Sequence, residues 1–167
     1  EGSFFIYEMA YRLSGEKHYQ VVEKRTGINL LEMMIELAIN GKVKDDDITE
    51  DDYAHTPYPS CNLSFLLTEG TINKVEGIDA IEKLPEVVSY VMTHEPGDKI
   101  DIIGSYSQMF IRINIVASSF EKLAKIIERI NQTLQVTSKD NRDMILTRFV
   151  MPDSRYKGEA TANGEIR

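Results

Sequence analysis

Apolar and polar residues alternate in some stretches of this chain and recur every three or four residues in others. Those two periods divide it into strands and helices. Residues 3–12 alternate: Phe5, Tyr7, Met9 and Tyr11 fall on one face of an expected strand, and Glu8, Ala10 and Arg12 on the other. Leu13 to Tyr19 is polar and reads as a loop. A helix is expected next. Asn29 can cap it, Glu32 stands three residues on as in a capping box, and Gly41 follows its end. Its apolar residues (Leu30, Leu31, Met33, Met34, Ile35, Leu37, Ala38 and Ile39) surround most of its circumference, which predicts deep burial between layers.

The texture then changes. Lys44 to Asp52 carries six carboxylates in nine residues, which repel one another and favour a solvated linker. It lacks the central glycine and the final Glu of a calcium loop. Beyond Tyr58 the chain is β-rich. Asn62–Glu69 and Thr71–Glu76 read as strands joined through Gly70 in a hairpin. A short helical turn over Ile78–Leu84 ends at Pro85. Strands are expected over Val87–Thr93, Lys99–Gly104 and Phe110–Ala117, with a turn at Pro96-Gly-Asp98. Ser118 and Glu121 suggest a capping box for a long helix whose stripe is Phe120, Leu123, Ile127, Ile130 and Leu134. Gln135–Ser138 and Met144–Val150 read as further short strands, and a polar tail follows Met151. The expected organisation is an α/β remainder over 1–52, an α+β lobe with a mostly antiparallel sheet over 53–150, and a tail over 151–167.

Charge and composition narrow the function. A net charge of −8 argues against a nonspecific nucleic-acid binder and against attraction to anionic lipid. No apolar run approaches the roughly 20 residues of a membrane-spanning helix. Cys61 is the single cysteine, so an intrachain disulfide and a cysteine-based zinc site are both excluded. A cytoplasmic setting is the simplest expectation. The chain opens directly into an apolar strand pattern without an initiator methionine, which reads as a cut within a larger protein.

The segment Tyr7-Glu-Met-Ala-Tyr-Arg-Leu-Ser-Gly15 carries the candidate chemistry. A strand puts Glu8 and Arg12 on one face, about 13 Å apart at 3.3 Å per residue, too far for a direct ion pair. They would face a shared, elongated ligand, or else form a solvated charged strand face. A carboxylate can hold Mg²⁺, and a guanidinium grips phosphate or carboxylate through two parallel hydrogen bonds. Ser14 and Gly15 add backbone N–H groups that can approach an anion. His18 lies just beyond, either as a substrate or proton-transfer residue or as an exposed loop histidine. A metallohydrolase built on Glu8 and His18 lacks a further ligand at a suitable spacing. His55 and His94 sit beside turn residues and read as structural or exposed.

This segment resembles the metal-binding strand of ATP-grasp enzymes, Glu-x-Asn-x-Arg running into a Ser-Gly or Gly-Gly loop, through Glu8, Arg12, Ser14 and Gly15. Thr26-Gly-Ile-Asn-Leu-Leu-Glu32 is similar to the lead-in of that family's next helix. Gly70 to Gly77, Pro96-Gly-Asp98 and the helix after Ser118 resemble the C-terminal lobe of biotin-carboxylase-like and carbamoyl-phosphate-synthetase-like members. The likeness covers residues 4–150. It departs at Ala10, where the family usually has a ligating Asn, and at Glu16, where a second glycine is common.

The resemblance implies the C-terminal part of an ATP-grasp domain followed by the β lobe. It implies a parent that is an ATP-dependent carboxylate–amine ligase working through an acyl phosphate, with this piece inactive alone. Glu8 would be the Mg²⁺ ligand bridging ATP phosphates, with Ser14 and Gly15 on the cofactor. Arg12 would act catalytically on the acyl phosphate or substrate carboxylate, with His18 also on substrate. The cofactors are then ATP and Mg²⁺, and the partners a small carboxylate and an amine. An exposed half-domain surface would favour a homo-oligomer. The rival reading is a non-catalytic assembly module.

Overall fold

A computed structural model describes residues 12–42 and 58–151. Residues 3–11 of the strand expected over 3–12, with Glu8 and Ala10, lie outside the described residues, as do the acidic stretch 44–52 and the tail beyond Met151.

Two helices come first, α1 (His18–Thr26) and α2 (Leu30–Asn40). The β lobe follows in the order β1 (Ser60–Leu66), β2 (Gly70–Glu76), α3 (Ile78–Glu82), β3 (Val87–Met92), β4 (Lys99–Ile100), a 3₁₀ turn (Tyr106–Gln108), β5 (Met109–Val116), α4 (Phe120–Thr133) and β6 (Gln135–Ser138). The strands form two antiparallel three-stranded sheets, β1-β5-β3 and β4-β2-β6. The expected α+β class, with a mostly antiparallel lobe and one long helix, is the one observed. No helix of the described residues is long and apolar enough to cross a membrane.

Strand β5 is central to its sheet. Leu63 opposes Ile113 and Phe65 opposes Ile111 from β1, while Tyr90 opposes Ile113 from β3. Period 2 then sends Ile111, Ile113 and Ile115 into the core, where all three are fully buried with Leu123, Ile126, Ile127, Ile130 and Leu134 around α4. Gly77 joins β2 to α3 at φ +94, and a Cβ there would lie 2.2 Å from the Thr133 carbonyl oxygen, so the α3–α4 approach requires glycine.

Four expectations need correction. The β1–β2 hairpin does not form. After β1, the Leu67 and Thr68 N–H groups donate to the Gln108 and Met144 carbonyls, and the chain passes into the other sheet, where β2 pairs with β4 and β6. Helix α2 has the predicted caps, Asn29 accepting from the Glu32 N–H and Gly41 at φ +70. It is not buried, however: none of its residues is buried, Ile39 is 76% exposed, and it packs on α1 without a second covering layer among the described residues. The long helix is capped by Ser119, accepting from the Lys122 N–H, one residue later than expected, which leaves Phe120 exposed. The strands expected over Lys99–Gly104 and Met144–Val150 shrink to two residues and to an isolated Leu67–Ile145 bridge.

Helix α1 was not expected. Its N-cap, Lys17, offers no side-chain cap and sits in the left-handed region at φ +60. Tertiary contact makes up for the missing cap, because α1 packs against β3 and β5.

Candidate functional site

The face of sheet β1-β5-β3 opposite the core is polar. Register places Asn62, Asn114 and Ser89 in one row across the three strands, and Ser64, Arg112 and Val91 in the next. Loop 12–17 and the start of α1 lie over it. Asn114 is 0% exposed with its amide fully used: it accepts from Asn62 Nδ2 at 2.9 Å and donates to the Glu16 carbonyl at 2.7 Å and to Ser89 Oγ at 3.0 Å. Burial of an amide requires this degree of satisfaction. The consequence is positional, because Asn114 ties the loop's backbone to the central strand.

The loop turns on Ser14, whose Oγ accepts the Glu16 N–H at 3.2 Å and whose carbonyl accepts the Lys17 N–H at 3.2 Å. Lys17 Nζ donates to the Tyr90 carbonyl at 3.3 Å. The left-handed Lys17 costs about 1–2 kcal/mol, which these anchors offset. The Glu16 carboxylate reaches two cationic or potentially cationic groups. One oxygen pairs with Arg112 Nη1, and the other lies 3.3 Å from His18 Nε2. His18 Nε2 is also 3.2 Å from Asn62 Nδ2.

Between loop and sheet lies a cavity of about 320 Å³, lined by Arg12, Ser14, Gly15, Glu16, Val91, Thr93, Tyr106, Met109 and Arg112. Among the described residues Arg12 has no ion-pair partner, and it is exposed. The Arg112 side chain is 17% exposed, and its Cζ lies 5.4 Å from the Tyr106 ring centroid. Its buried Nε–H has no hydrogen-bond acceptor among the described residues. Two guanidinium groups against one carboxylate leave the cavity a positive spot on an acidic chain, suited to an oxyanion.

Of the residues expected at a site, Arg12, Ser14 and Gly15 line this one cavity, His18 stands behind Glu16 outside the lining, and Glu8 lies outside the described residues. Sequence reasoning missed Glu16 as an ion-pair partner, and Arg112, Thr93 and Tyr106 altogether. One signal was present. Arg112 and Asn114 are polar intrusions on alternate positions of an otherwise apolar strand, Met-Phe-Ile-Arg-Ile-Asn-Ile-Val, and so share one face. A larger groove, about 620 Å³, runs between α4 and residues 148–151, and holds none of the expected residues.

His94, expected to be structural or exposed, is half-buried. Its Nδ1 lies 3.3 Å from Asp98 and its Nε2 2.7 Å from the Ser107 carbonyl. Burial pushes the Cys61 thiol up. The Asp98 carboxyl is held below its ordinary value first by the Glu95 N–H and then by His94.

No family model matches this chain, and neither does any curated protein. The fold is similar to that in the crystal structure of an L-amino acid ligase from Bacillus licheniformis, with a TM-score of 0.58 and 17% identity. The match covers 72% of this chain and 30% of that one, so this chain corresponds to less than a third of the ligase's length. The likeness is one of fold, the mixed helix and antiparallel-sheet architecture described above.

Proposed function

We propose that this chain is the C-terminal part of an ATP-dependent carboxylate–amine ligase whose carboxylate substrate is an amino acid, and that the cavity under loop 12–17 holds the anionic end of the reacting group. The observation that carries this reading is the convergence of Arg12, Ser14 and Gly15 on one cavity, on a fold shared with an L-amino acid ligase. In the proposed division into units 1–52 and 53–150, the site spans the boundary, with the loop from the first unit and the sheet from the second.

The described residues fit an anion and do not by themselves fit a metal. Among them no group of three or more His, Cys, Asp or Glu could hold a metal ion, and Glu16 is already engaged by Arg112. The expected Mg²⁺ ligand, Glu8, stays a proposal from resemblance.

In the reaction, a carboxylate oxygen attacks the γ-phosphorus of ATP. The bond to ADP breaks and an acyl phosphate forms. An amine then displaces phosphate, forming the amide and losing a proton. Negative charge crowds onto the phosphoryl oxygens in both steps, so fixed cations that are present before the reaction lower the barrier. Arg12 is the anion clamp. Ser14 and Gly15 bring backbone N–H groups to the same oxygens. His18, beside the Glu16 carboxylate and outside the cavity lining, is the residue proposed to bind substrate or move a proton.

Arg12→Ala in the whole ligase should lower amino-acid-dependent phosphate release from ATP by about 10²–10³-fold, the usual effect of losing one fixed transition-state donor, without changing the melting temperature. Unchanged release would refute the assignment. That result would favour the rival reading, a non-catalytic assembly module, for which the exposed apolar surface of α2 speaks.

A further inference from the structure

Arg112 is the only charged residue of β5, and it lies mid-strand between Ser64 and Val91. Placing a cation there costs desolvation, which a single partner offsets incompletely. Glu16 engages one terminal nitrogen, Nη1. The Nε–H is buried without an acceptor among the described residues, and the side chain lines the same cavity as Arg12, Ser14 and Gly15. A guanidinium that lines a cavity beside a second guanidinium is suited to an oxyanion.

We propose that Arg112 is a second anion-binding residue of this cavity, taking a phosphoryl oxygen together with Arg12, and that Glu16 is its positioning residue. The inference rests on reading the cavity as the ligase's phosphoryl site, and adds to it a residue from the opposite unit. The phosphoryl group would then be gripped from both sides, by a loop guanidinium and by a strand guanidinium whose direction is fixed by Glu16 and, through the Asn114–Glu16 backbone bond, by the sheet. Tyr106, stacked against Arg112, limits its swing.

The alternative is that Arg112 and Glu16 form only a structural ion pair. The two accounts differ in sign. If the pair is structural, either substitution breaks the same bond, loosens the same loop, and moves anion affinity in the same direction. If Arg112 binds the anion, removing its charge weakens binding, whereas Glu16→Gln keeps an acceptor for Nη1 and removes a repelling charge, which strengthens it.

The test is calorimetric titration of the chain with inorganic phosphate at fixed ionic strength, with thermal melting of each variant alongside. Arg112→Gln should weaken phosphate binding about tenfold, the loss of one charged hydrogen bond. Glu16→Gln should tighten it about threefold, and Arg112→Lys, which keeps the charge, should stay within about threefold of wild type. Shifts of the same sign in Arg112→Gln and Glu16→Gln, or an unchanged Arg112→Gln, overturn the proposal. Should Arg112→Gln fail to fold, weaker binding by Glu16→Gln overturns it alone. If wild type binds and only Arg12→Gln weakens binding, this inference fails while the ligase reading stands. If wild type binds no phosphate, both fall.

Discussion

Sheet β1-β5-β3 presents two faces built from alternate residues of the same strands, and they are held in place by different physics. On one face Ile111, Ile113, Ile115, Leu63 and Phe65 join the side chains of α4 in one buried apolar cluster, where burial is nondirectional and stability scales with area. On the other, Asn62, Asn114, Ser89 and Arg112 meet loop 12–17 and α1 through bonds with defined partners and distances. That second face gives up stability that an apolar layer would supply. In return it fixes a loop to within a hydrogen bond of the strand beneath. A scaffold and a site can therefore share one strand, and β5 is where they meet.

The largest effect should come from breaking the apolar face. Ile113→Ala removes a side chain that is 0% exposed, at the centre of β5, and should destabilise the chain by about 4 kcal/mol, read as a drop in the denaturant midpoint. Because the strand carries both faces, the same substitution should also weaken anion binding. A stability loss below about 1 kcal/mol would mean that the core lies elsewhere.

Asn114→Leu acts on the polar face alone. It removes the acceptor that Asn62 Nδ2 uses in the sheet and the donor to the Ser89 hydroxyl and the Glu16 carbonyl, and should cost about 2 kcal/mol. Proteolysis should then cut within residues 12–17 before the β lobe opens, since the loop loses its tie to the sheet. Simultaneous loss of loop and lobe would show that the two faces are not separable.

The smallest effect lies off both faces. The folded-state pKa of Asp98 is depressed, so its contribution exists above the ordinary carboxylate value of 3.8 and disappears as pH falls through the lower folded value. Asp98→Asn should accordingly lower the melting temperature slightly at pH 7 and match wild type in strong acid. A difference that persists in acid would assign the effect to the Asn side chain and not to charge.

Sequence patterning revealed the elements better than their partners. Caps and stripes located α2 and α4 to within a residue or two, because Asn29, Gly41 and the Leu123–Ile127–Ile130 spacing act locally. The hairpin failed because strand pairing is nonlocal: Asn62–Glu69 and Thr71–Glu76 are adjacent in sequence, but β5, which pairs with β1, comes more than 40 residues after it. Helix α1 was missed because neither an N-cap nor a clear apolar stripe marks it. The buried placement of α2 failed because an all-round apolar helix needs a covering layer, and the pattern of one segment does not supply that layer. At the site, Arg12, Ser14 and Gly15 were readable as a local run. Arg112 and Tyr106 reach the cavity only through topology, from about 90–100 residues further along the chain.

The central claim is that the polar face beneath loop 12–17, and not the larger groove along α4, takes an oxyanion. Titration of ¹⁵N-labelled chain with inorganic phosphate, followed by amide and guanidinium shifts, tests it most directly. The account predicts that the backbone N–H signals of Ser14, Gly15 and Glu16 and the Arg112 Nε–H move together with one dissociation constant, while Asn131 and Phe149 stay still. Movement confined to Asn131, Arg148 and Phe149, or no saturable movement at all, would contradict it.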